Sequence, residues 1–336
     1  MTDLQGSGLP LAGIGLTVEG YADFLAKEYL GDYVRSGGAA VRFVVAGDQH
    51  VAGRWHAALA RIADAEGYLC VPVDAAETRV HMVDQVYGVA ARSVDWRELA
   101  RRQVWAAWEA IGLQPAADQR LTVAGVAAHH GVDPREAGRS LRRRLEADVL
   151  HDAALAREFR LAVLRLCQAE LGTGDVSEEE RAAVVAWLRV EKVGLRALRS
   201  ASLFSRLGRH NARAMLVSLA AWRARTAGRG LLIDIDLQRL AVSRRPPVEQ
   251  REGHYYSKAA VLDAYEVLRQ LVDATDQLHG ALIAVSLPPE LLVDDKRGLP
   301  AYSALHLRVV DEVRDRRRPN PFACLVRLET RMEAVS

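Results

Sequence analysis

Residues 40–53 read AVRFVVA followed by GDQHVAG, and a helical pattern at residues 55–66 comes directly after them. The first seven residues are apolar and rich in β-branched side chains, which predicts a short buried strand. Glycines bound the next seven residues, which predicts a loop between this strand and the helix. A second apolar run, YLCVPV at residues 68–73, lies one helix further along. The order predicts a right-handed βαβ unit with parallel strands.

The rest of the chain repeats the alternation of strand and helix after one long interruption. Residues 95–227 show helical periodicity in almost every window, and strand patterns resume at residues 230–236 (GLLIDID), 281–286 (ALIAVS) and 323–328. We therefore expect an α/β fold in which one parallel sheet is flanked by helices and carries a large helical insertion.

This organisation also predicts how the chain divides. We expect residues 40–46 and 231–236 to be neighbouring parallel strands of the same sheet, since each is apolar and joined to helices. The expected units are the first part of the α/β core at 17–94, the helical insertion at 95–227 and the second part of the core at 228–330.

Composition narrows the class of protein. The 336 residues are 50% hydrophobic, and 45 Lys and Arg against 43 Asp and Glu give a formal charge of +2, so binding to nucleic acid requires a local patch. Cys70, Cys167 and Cys324 lie far apart, and neither they nor the histidines show metal-ligand spacing. Nor does a Ser-His-Asp order appear, so no catalytic or metal-binding residue is predicted. Without a signal-like or membrane-spanning apolar stretch, we expect a cytoplasmic protein.

The loop after the first strand has part of a phosphate-binding pattern. Such a loop needs glycines that let backbone N–H groups wrap phosphate, a Lys, and a Ser or Thr for Mg²⁺. With Gly53 as the last glycine, Arg54 takes the lysine position and Trp55 the hydroxyl position. Asp48 stands where the first glycine belongs, and Gly47 fits only with one extra residue. The pattern predicts either a weakened nucleotide site or an ordinary strand–turn–helix connection.

The strand at residues 231–236 ends in an acid, where P-loop enzymes place the aspartate that supports Mg²⁺. Asp236 fits this role, but Leu237 follows it where hydrolytic members have a Glu that orients water. Asp234 is expected on the same side of the strand as Asp236, because side chains alternate along a strand. The alternative is that Asp236 only caps the loop that follows.

A second candidate site lies in the helical segment at residues 121–150. A turn at Gly131 separates two helical patterns, as in a helix-turn-helix, and the second pattern carries Arg139, Arg142 and Arg143 as expected DNA contacts. The alternative is a solvated helix face, because neighbouring acidic residues dilute the positive charge.

Several blocks together resemble the BrxD-like P-loop ATPases, AAA+ proteins of the ORC/Cdc6 type found with BREX and related bacterial phage-defence systems. The resemblance spans nearly the whole length, and its blocks occur in matching order. They are residues 37–45 (GGAAVRFVV), 187–192 (WLRVEK), 209–216 (RHNARAML), 289–291 (PEL), 294–298 (DDKRG) and 302–305 (YSAL).

The resemblance implies an AAA+-like fold, defence-system partners and homo- or hetero-oligomeric assembly. It places a polar sensor at Ser286 and an arginine finger for a neighbouring subunit at Arg308. Three functions remain open: a scaffold or regulatory subunit impaired in nucleotide binding, an active or trans-activated ATPase, and a DNA-binding subunit. ATP and Mg²⁺ are cofactors only if the altered loop at Gly47, Gly53 and Arg54 still binds them.

Overall fold

One parallel sheet forms the centre of the molecule. The computed structural model describes residues 16–245, 247, 249, 252–310 and 320–329. Their strands are β1 (Leu16–Thr17), β2 (Ala39–Ala46), β3 (Leu69–Asp74), β4 (Leu231–Asp236), β5 (Ala281–Leu287) and β6 (Leu325–Glu329). All six pair in parallel in the order β1-β6-β2-β5-β4-β3, which confirms the predicted α/β class.

Helices cover both faces of this sheet. Those before β4 are α1 (Val18–Phe24, continued by a π-helix at Leu25–Tyr33), α2 (Gln49–Glu66), α3 (Val83–Ser93), α4 (Trp96–Ala110), α5 (Val123–His130), α6 (Pro134–Leu145, continued by a π-helix at Glu146–Leu150), α7 (Arg157–Ala169), α8 (Glu178–Leu188), α9 (Leu195–Leu198) and α10 (Ala212–Ala227). After β4 come a 3₁₀ turn (Gln238–Ala241), α11 (Lys258–Asp273), α12 (Glu290–Val293), a 3₁₀ turn (Leu299–Ala301) and α13 (Ser303–Val309).

Two apolar cores lie on opposite faces of the sheet, because successive side chains of a strand point to opposite sides. On β2, Val41 and Phe43 belong to the larger core, which also includes residues of α3 to α8 and α10. Ala40 and Val44 belong to the smaller core under α1 and α2. No helix in the described part of the chain is long and apolar enough to cross a membrane.

The expected adjacency of the first and third predicted strands is wrong. Strand β5 lies between β2 and β4, and Ser286 pairs in register with Val44 on one side and Asp236 on the other. Because all the strands are parallel, the carboxyl ends of β2, β5 and β4 meet at one edge of the sheet. The boundaries of a separate helical unit at 95–227 stay a prediction.

Candidate functional site at the carboxyl edge of the sheet

The connection between β2 and α2 is much shorter than the sequence predicts. Only Gly47 and Asp48 separate the two elements, and α2 begins at Gln49. The predicted loop at residues 47–53, with a helix starting near residue 55, is therefore wrong. Gly53 lies in the second turn of α2 and is exposed, so it does not belong to a loop that could wrap a phosphate.

Asp48 causes this early helix start. Its backbone is extended, and its Oδ1 accepts a hydrogen bond of 2.8 Å from the amide of Val51. This is the usual geometry of an N-cap, which satisfies an amide that the helix itself leaves unpaired. The amides at a helix N-terminus are also the groups that bind anions. Asp48 thus places a carboxylate of the chain itself where a phosphate would be received.

The two residues at the predicted lysine and hydroxyl positions are engaged elsewhere. Trp55 is fully buried and stacks on Tyr21 of α1, with ring centroids 5.7 Å apart. Arg54 forms an ion pair with Glu19 at the start of α1. The hydrogen bond from Arg54 lowers the pKa of Glu19. Both side chains tie α2 to α1, which explains their presence without a ligand.

A charged cluster beneath α2 joins this helix to the carboxyl ends of β4 and β5. His56 Nδ1 lies 2.6 Å from Asp234 Oδ2, and its Nε2 lies 3.4 Å from Asp236 Oδ2. The same Nε2 is 3.5 Å from Ser286 Oγ, which is also 3.5 Å from Asp236 Oδ1. The shared contact with His56 confirms that Asp234 and Asp236 face the same side of β4.

Electrostatics make His56 a cation. Burial alone lowers its pKa, but hydrogen bonds and charges from Asp234 and Asp236 outweigh burial and raise the pKa to about 10. Burial raises the pKa of Asp234, and the hydrogen bond with His56 opposes that rise. The imidazolium therefore persists at neutral pH. One oxygen of Asp234, Oδ1, is buried and has no hydrogen-bond partner among the described residues.

Ser286, His56 and Asp234 lie in the order of a catalytic triad, which the sequence did not predict. The arrangement does not suit nucleophilic catalysis for two reasons. The Ser286 side chain is completely buried, and a His56 that already holds a proton cannot act as the general base. The contact between Ser286 Oγ and His56 Nε2, at 3.5 Å, is also at the limit of a hydrogen bond. The cluster is built to hold a charge rather than to activate a hydroxyl.

The residues after β4 shape the turn that follows. Asp236 Oδ1 accepts a hydrogen bond of 2.8 Å from the amide of Gln238, which is the capping role considered as the alternative. Leu237 is buried in the larger core, and its amide donates to the carbonyl of Ser286. An apolar side chain in the core cannot orient a water molecule. Asp236 therefore combines two structural contacts, with the turn and with His56.

Sequence reasoning missed His56, although a signal for it exists. The buried positions of α2 include Ala52, Leu59 and Ala63, and residue 56 lies at helical spacing between the first two. A polar side chain there faces the sheet, where the acids of β4 and Ser286 of β5 also lie. The helix start predicted near Trp55 concealed this spacing.

The remaining predicted residues lie on other elements. Arg308, on α13, donates hydrogen bonds to Asp273 of α11 and to the carbonyl of Ala304. Arg139, Arg142 and Arg143 are exposed on α6. Their roles as an arginine finger and as DNA contacts stay predictions.

In the parallel sheet, β2 leads into the N-terminus of α2, and the acidic end of β4 lies at the same edge. This arrangement defines an α/β protein of the P-loop NTPase type. A family model described as "BREX system ATP-binding protein BrxC/D" matches residues 8–334, and the chain belongs to this family. The match confirms the resemblance seen in the sequence blocks. No curated protein and no solved structure matches the chain.

Proposed function

We propose that this chain serves a BREX system as a subunit that keeps the P-loop NTPase fold, binds Mg²⁺-ATP weakly and does not turn it over. It acts as a scaffold or regulatory subunit that assembles with other proteins of the defence system. One observation carries the proposal: the imidazolium of His56 lies between Asp234 and Asp236, the two carboxylates at the end of β4, where a P-loop enzyme would place its metal-supporting acid.

A cation inside the site opposes a second cation. Mg²⁺ requires oxygen ligands in near-octahedral geometry and is usually held through carboxylates and substrate phosphates. At this edge, Asp234 is engaged by His56 at 2.6 Å, and Asp236 is engaged by the amide of Gln238. A magnesium ion that binds these carboxylates would have to displace the imidazolium, because two cations held by the same carboxylates repel each other.

The groups that would bind the nucleotide phosphates also differ from those of a phosphate-binding loop. Asp48 caps the amide of Val51, Arg54 pairs with Glu19, and the short connection provides no loop of amides for the phosphates. Each charge-assisted hydrogen bond contributes about 1.5–3 kcal/mol. Micromolar affinity corresponds to about 8 kcal/mol, so the loss of phosphate, charge and metal contacts together removes most of it.

The alternative is an ATPase that is active by itself or is completed in trans by a partner subunit. The description of the family as ATP-binding favours this alternative. Arginines supplied by a neighbouring subunit complete other phosphoryl-transfer sites, and Arg308 is the residue predicted for such a role.

Calorimetric titration with Mg²⁺-ATP, joined to a phosphate-release assay, tests the proposal. We expect a dissociation constant no tighter than about millimolar and turnover at background, both alone and with neighbouring proteins of the defence system. Micromolar affinity of the natural chain, or a turnover abolished by Asp236→Asn, would overturn the proposal in favour of the ATPase. His50→Ala is the matched control, because His50 is exposed on the first turn of α2.

A second candidate function, binding of duplex DNA, is favoured by the geometry of α5 and α6. A three-residue connection joins the two helices, and Gly131 within it has the left-handed φ of 64° that ends α5. A Cβ on Gly138 would lie 3.2 Å from Val123, so the helices pack closely. The buried residues of α6 leave its arginines on the outer face, which is the arrangement of a recognition helix.

A further inference from the structure

A strongly basic segment runs from the end of α8 into the first turn of α10. Residues 189–213 contain seven Lys and Arg residues but one acidic residue, Glu191. This contrasts with the near balance of charges over the whole chain. Six of the basic side chains are exposed: Lys192, Arg196, Arg199, Arg206, Arg209 and Arg213. We call this set with Phe204 the basic loop surface.

These six cations have no partner within the described part of the chain. None of them forms an ion pair or donates a side-chain hydrogen bond to another described residue. Elsewhere exposed arginines are commonly paired, as Arg142 is with Asp175 and Arg144 with Asp148. Unpaired cations concentrated in one segment attract a polyanion, since each phosphate they neutralise releases a counterion.

The same segment carries an exposed aromatic side chain. Phe204 is 70% exposed, the largest exposed fraction among the large hydrophobic side chains of the described residues. Its position is fixed from both sides, because Leu203 is buried and the carbonyl of Ser205 accepts a 2.8 Å hydrogen bond from Trp187 Nε1. The ring is therefore held outward by its neighbours.

Backbone strain marks the same segment. Val190 (φ 60°) and Ser202 (φ 57°) are the non-glycine residues with positive φ in the described part of the chain, and both belong to this segment. A β-branched residue such as valine rarely adopts this conformation. Strained residues persist where surrounding contacts fix them, and they cluster at functional sites. The segment is held in an unfavourable conformation that presents Phe204.

The basic surface continues toward the carboxyl side of the sheet. A cavity of about 540 Å³ is lined by Arg79, His81 and Arg239, among others. Burial lowers the pKa of His81, and the positive charge of Arg209 lowers it further, so Arg209 lies within electrostatic reach of this cavity. A strand of phosphates would meet positive charge beyond the segment itself.

We propose that the basic loop surface binds single-stranded nucleic acid, with the cations along the phosphate backbone and a base stacked on Phe204. Single-strand-binding proteins combine these two features, a positive track and exposed aromatic rings. The irregular backbone argues against a duplex, because entry into the major groove requires a helix or a β-ribbon. In this segment α9 has only four residues. The inference does not depend on the nucleotide site and goes beyond the function proposed above.

Fluorescence anisotropy with a labelled 30-nucleotide oligothymidine, over a series of salt concentrations, tests this proposal. The natural chain should bind, and the triple variant Arg196→Ala, Arg199→Ala, Arg206→Ala should bind more than 10-fold more weakly. Its slope of log affinity against log salt should fall by about 2, since each phosphate contact to a single strand contributes about 0.7. The charge-matched control replaces Lys27, Arg35 and Arg61 with Ala on the α1 and α2 side of the sheet.

Substitutions at Phe204 distinguish base stacking from simple electrostatic attraction. Phe204→Ala should weaken binding roughly 5- to 100-fold, the range expected for loss of one stacked base, and Phe204→Trp should restore it. Phe322→Ala is the control, because Phe322 is also exposed, by 58%. Thermal unfolding of each variant checks the fold. Absence of binding by the natural chain, equal loss in the control triple, or no effect of Phe204→Ala would overturn the proposal. Stronger binding to polyglutamate, or a larger effect of the Arg196, Arg199 and Arg206 substitutions on a 30-base-pair duplex than on the oligothymidine, would overturn it as well.

Discussion

His56 Nδ1 lies 2.6 Å from Asp234 Oδ2, and this contact joins the middle of α2 to strand β4. Asp234 is 4% exposed, so its charge depends on the imidazolium for compensation. Removing one partner of a buried ion pair commonly costs about 3–5 kcal/mol, because the other charge is left unpaired. The pair therefore supports the fold, whatever the function of the site.

We expect His56→Ala to lower the free energy of unfolding by about 3–5 kcal/mol, as measured by urea denaturation. The double variant His56→Ala, Asp234→Asn should recover part of this loss, since the amide carries no charge. His50→Ala, on the same helix but exposed, should change stability little. An equal loss in the single and the double variant would show that packing, rather than charge, accounts for the effect.

The pair also predicts how stability depends on pH. The folded-state pKa of His56 is about 10, above the value of about 6.5 for an unperturbed histidine. A folded-state pKa above the unfolded value means that folded protein holds the proton more tightly. The stabilisation is complete below about pH 6.5 and is lost as the pH rises through 10.

Denaturation at a series of pH values from 6 to 10 measures this loss. One unit of pKa corresponds to about 1.4 kcal/mol. Because the ring is partly exposed and screened by solvent, we expect the total to be on the order of 2–4 kcal/mol. The comparison protein is the double variant His56→Ala, Asp234→Asn. Cysteines and tyrosines titrate in both proteins, so their contribution cancels from the difference in unfolding free energy between the natural chain and the variant. A constant difference between the two proteins across this range would contradict a protonated His56.

Because Trp55 is buried in the core, we expect that substitutions in the β2–α2 connection cannot restore a working phosphate loop. The substitutions Asp48→Gly, Arg54→Lys, Trp55→Ser and Leu237→Glu recreate the sequence pattern, but two of them alter buried core residues. Trp55→Ser alone should cost about 3–5 kcal/mol, the usual loss for truncating a buried tryptophan. Trp105→Ser is the control, because Trp105 is only partly buried. Wild-type stability in the Trp55→Ser variant would show that position 55 tolerates a polar side chain.

The sequence predicts the sheet well and the site only in part. Runs such as residues 40–46 and 281–286 are apolar and short, so strands and fold class follow from local patterns. Strand order does not, because the place of β5 between β2 and β4 depends on packing between distant segments. The start of α2 differs from the prediction because Gly53 is typical of a loop, although the N-cap Asp48 is the stronger local signal.

The charged cluster of His56, Asp234, Asp236 and Ser286 is recognisable only in the three-dimensional structure. Residues 56, 234 and 286 are distant in sequence, and no spacing rule links them. The alternation of β4 did predict that Asp234 and Asp236 share one face. The prediction does not include His56, the cation that contacts both acids. A helix that starts near residue 55 places His56 in its first turn, where a side chain faces solvent or ligand.

The helix-turn-helix geometry of α5 and α6 predicts which arginines contact duplex DNA, if the second candidate function holds. On α6, Arg135, Arg139 and Arg143 follow one another at intervals of four residues, so they form one stripe on the outer face. Arg142 is paired with Asp175 and Arg144 with Asp148, whereas the three arginines of the stripe form no ion pair with another described residue. The stripe thus differs by one residue from the set that the sequence alone favours.

Replacing the stripe Arg135, Arg139 and Arg143 with Ala should weaken binding to a 30-base-pair duplex at least 10-fold. The slope of log affinity against log salt should fall by nearly 3, because each duplex phosphate contact contributes about 0.9. Arg142→Ala should have a smaller effect, since its guanidinium is engaged by Asp175. The variant with Ala at Lys27, Arg35 and Arg61 removes the same charge from the opposite side of the sheet and should bind as the natural chain does. If the stripe variant and this control bind duplex equally well, the exposed face of α6 is a solvated surface and the fold of α5 and α6 serves packing alone.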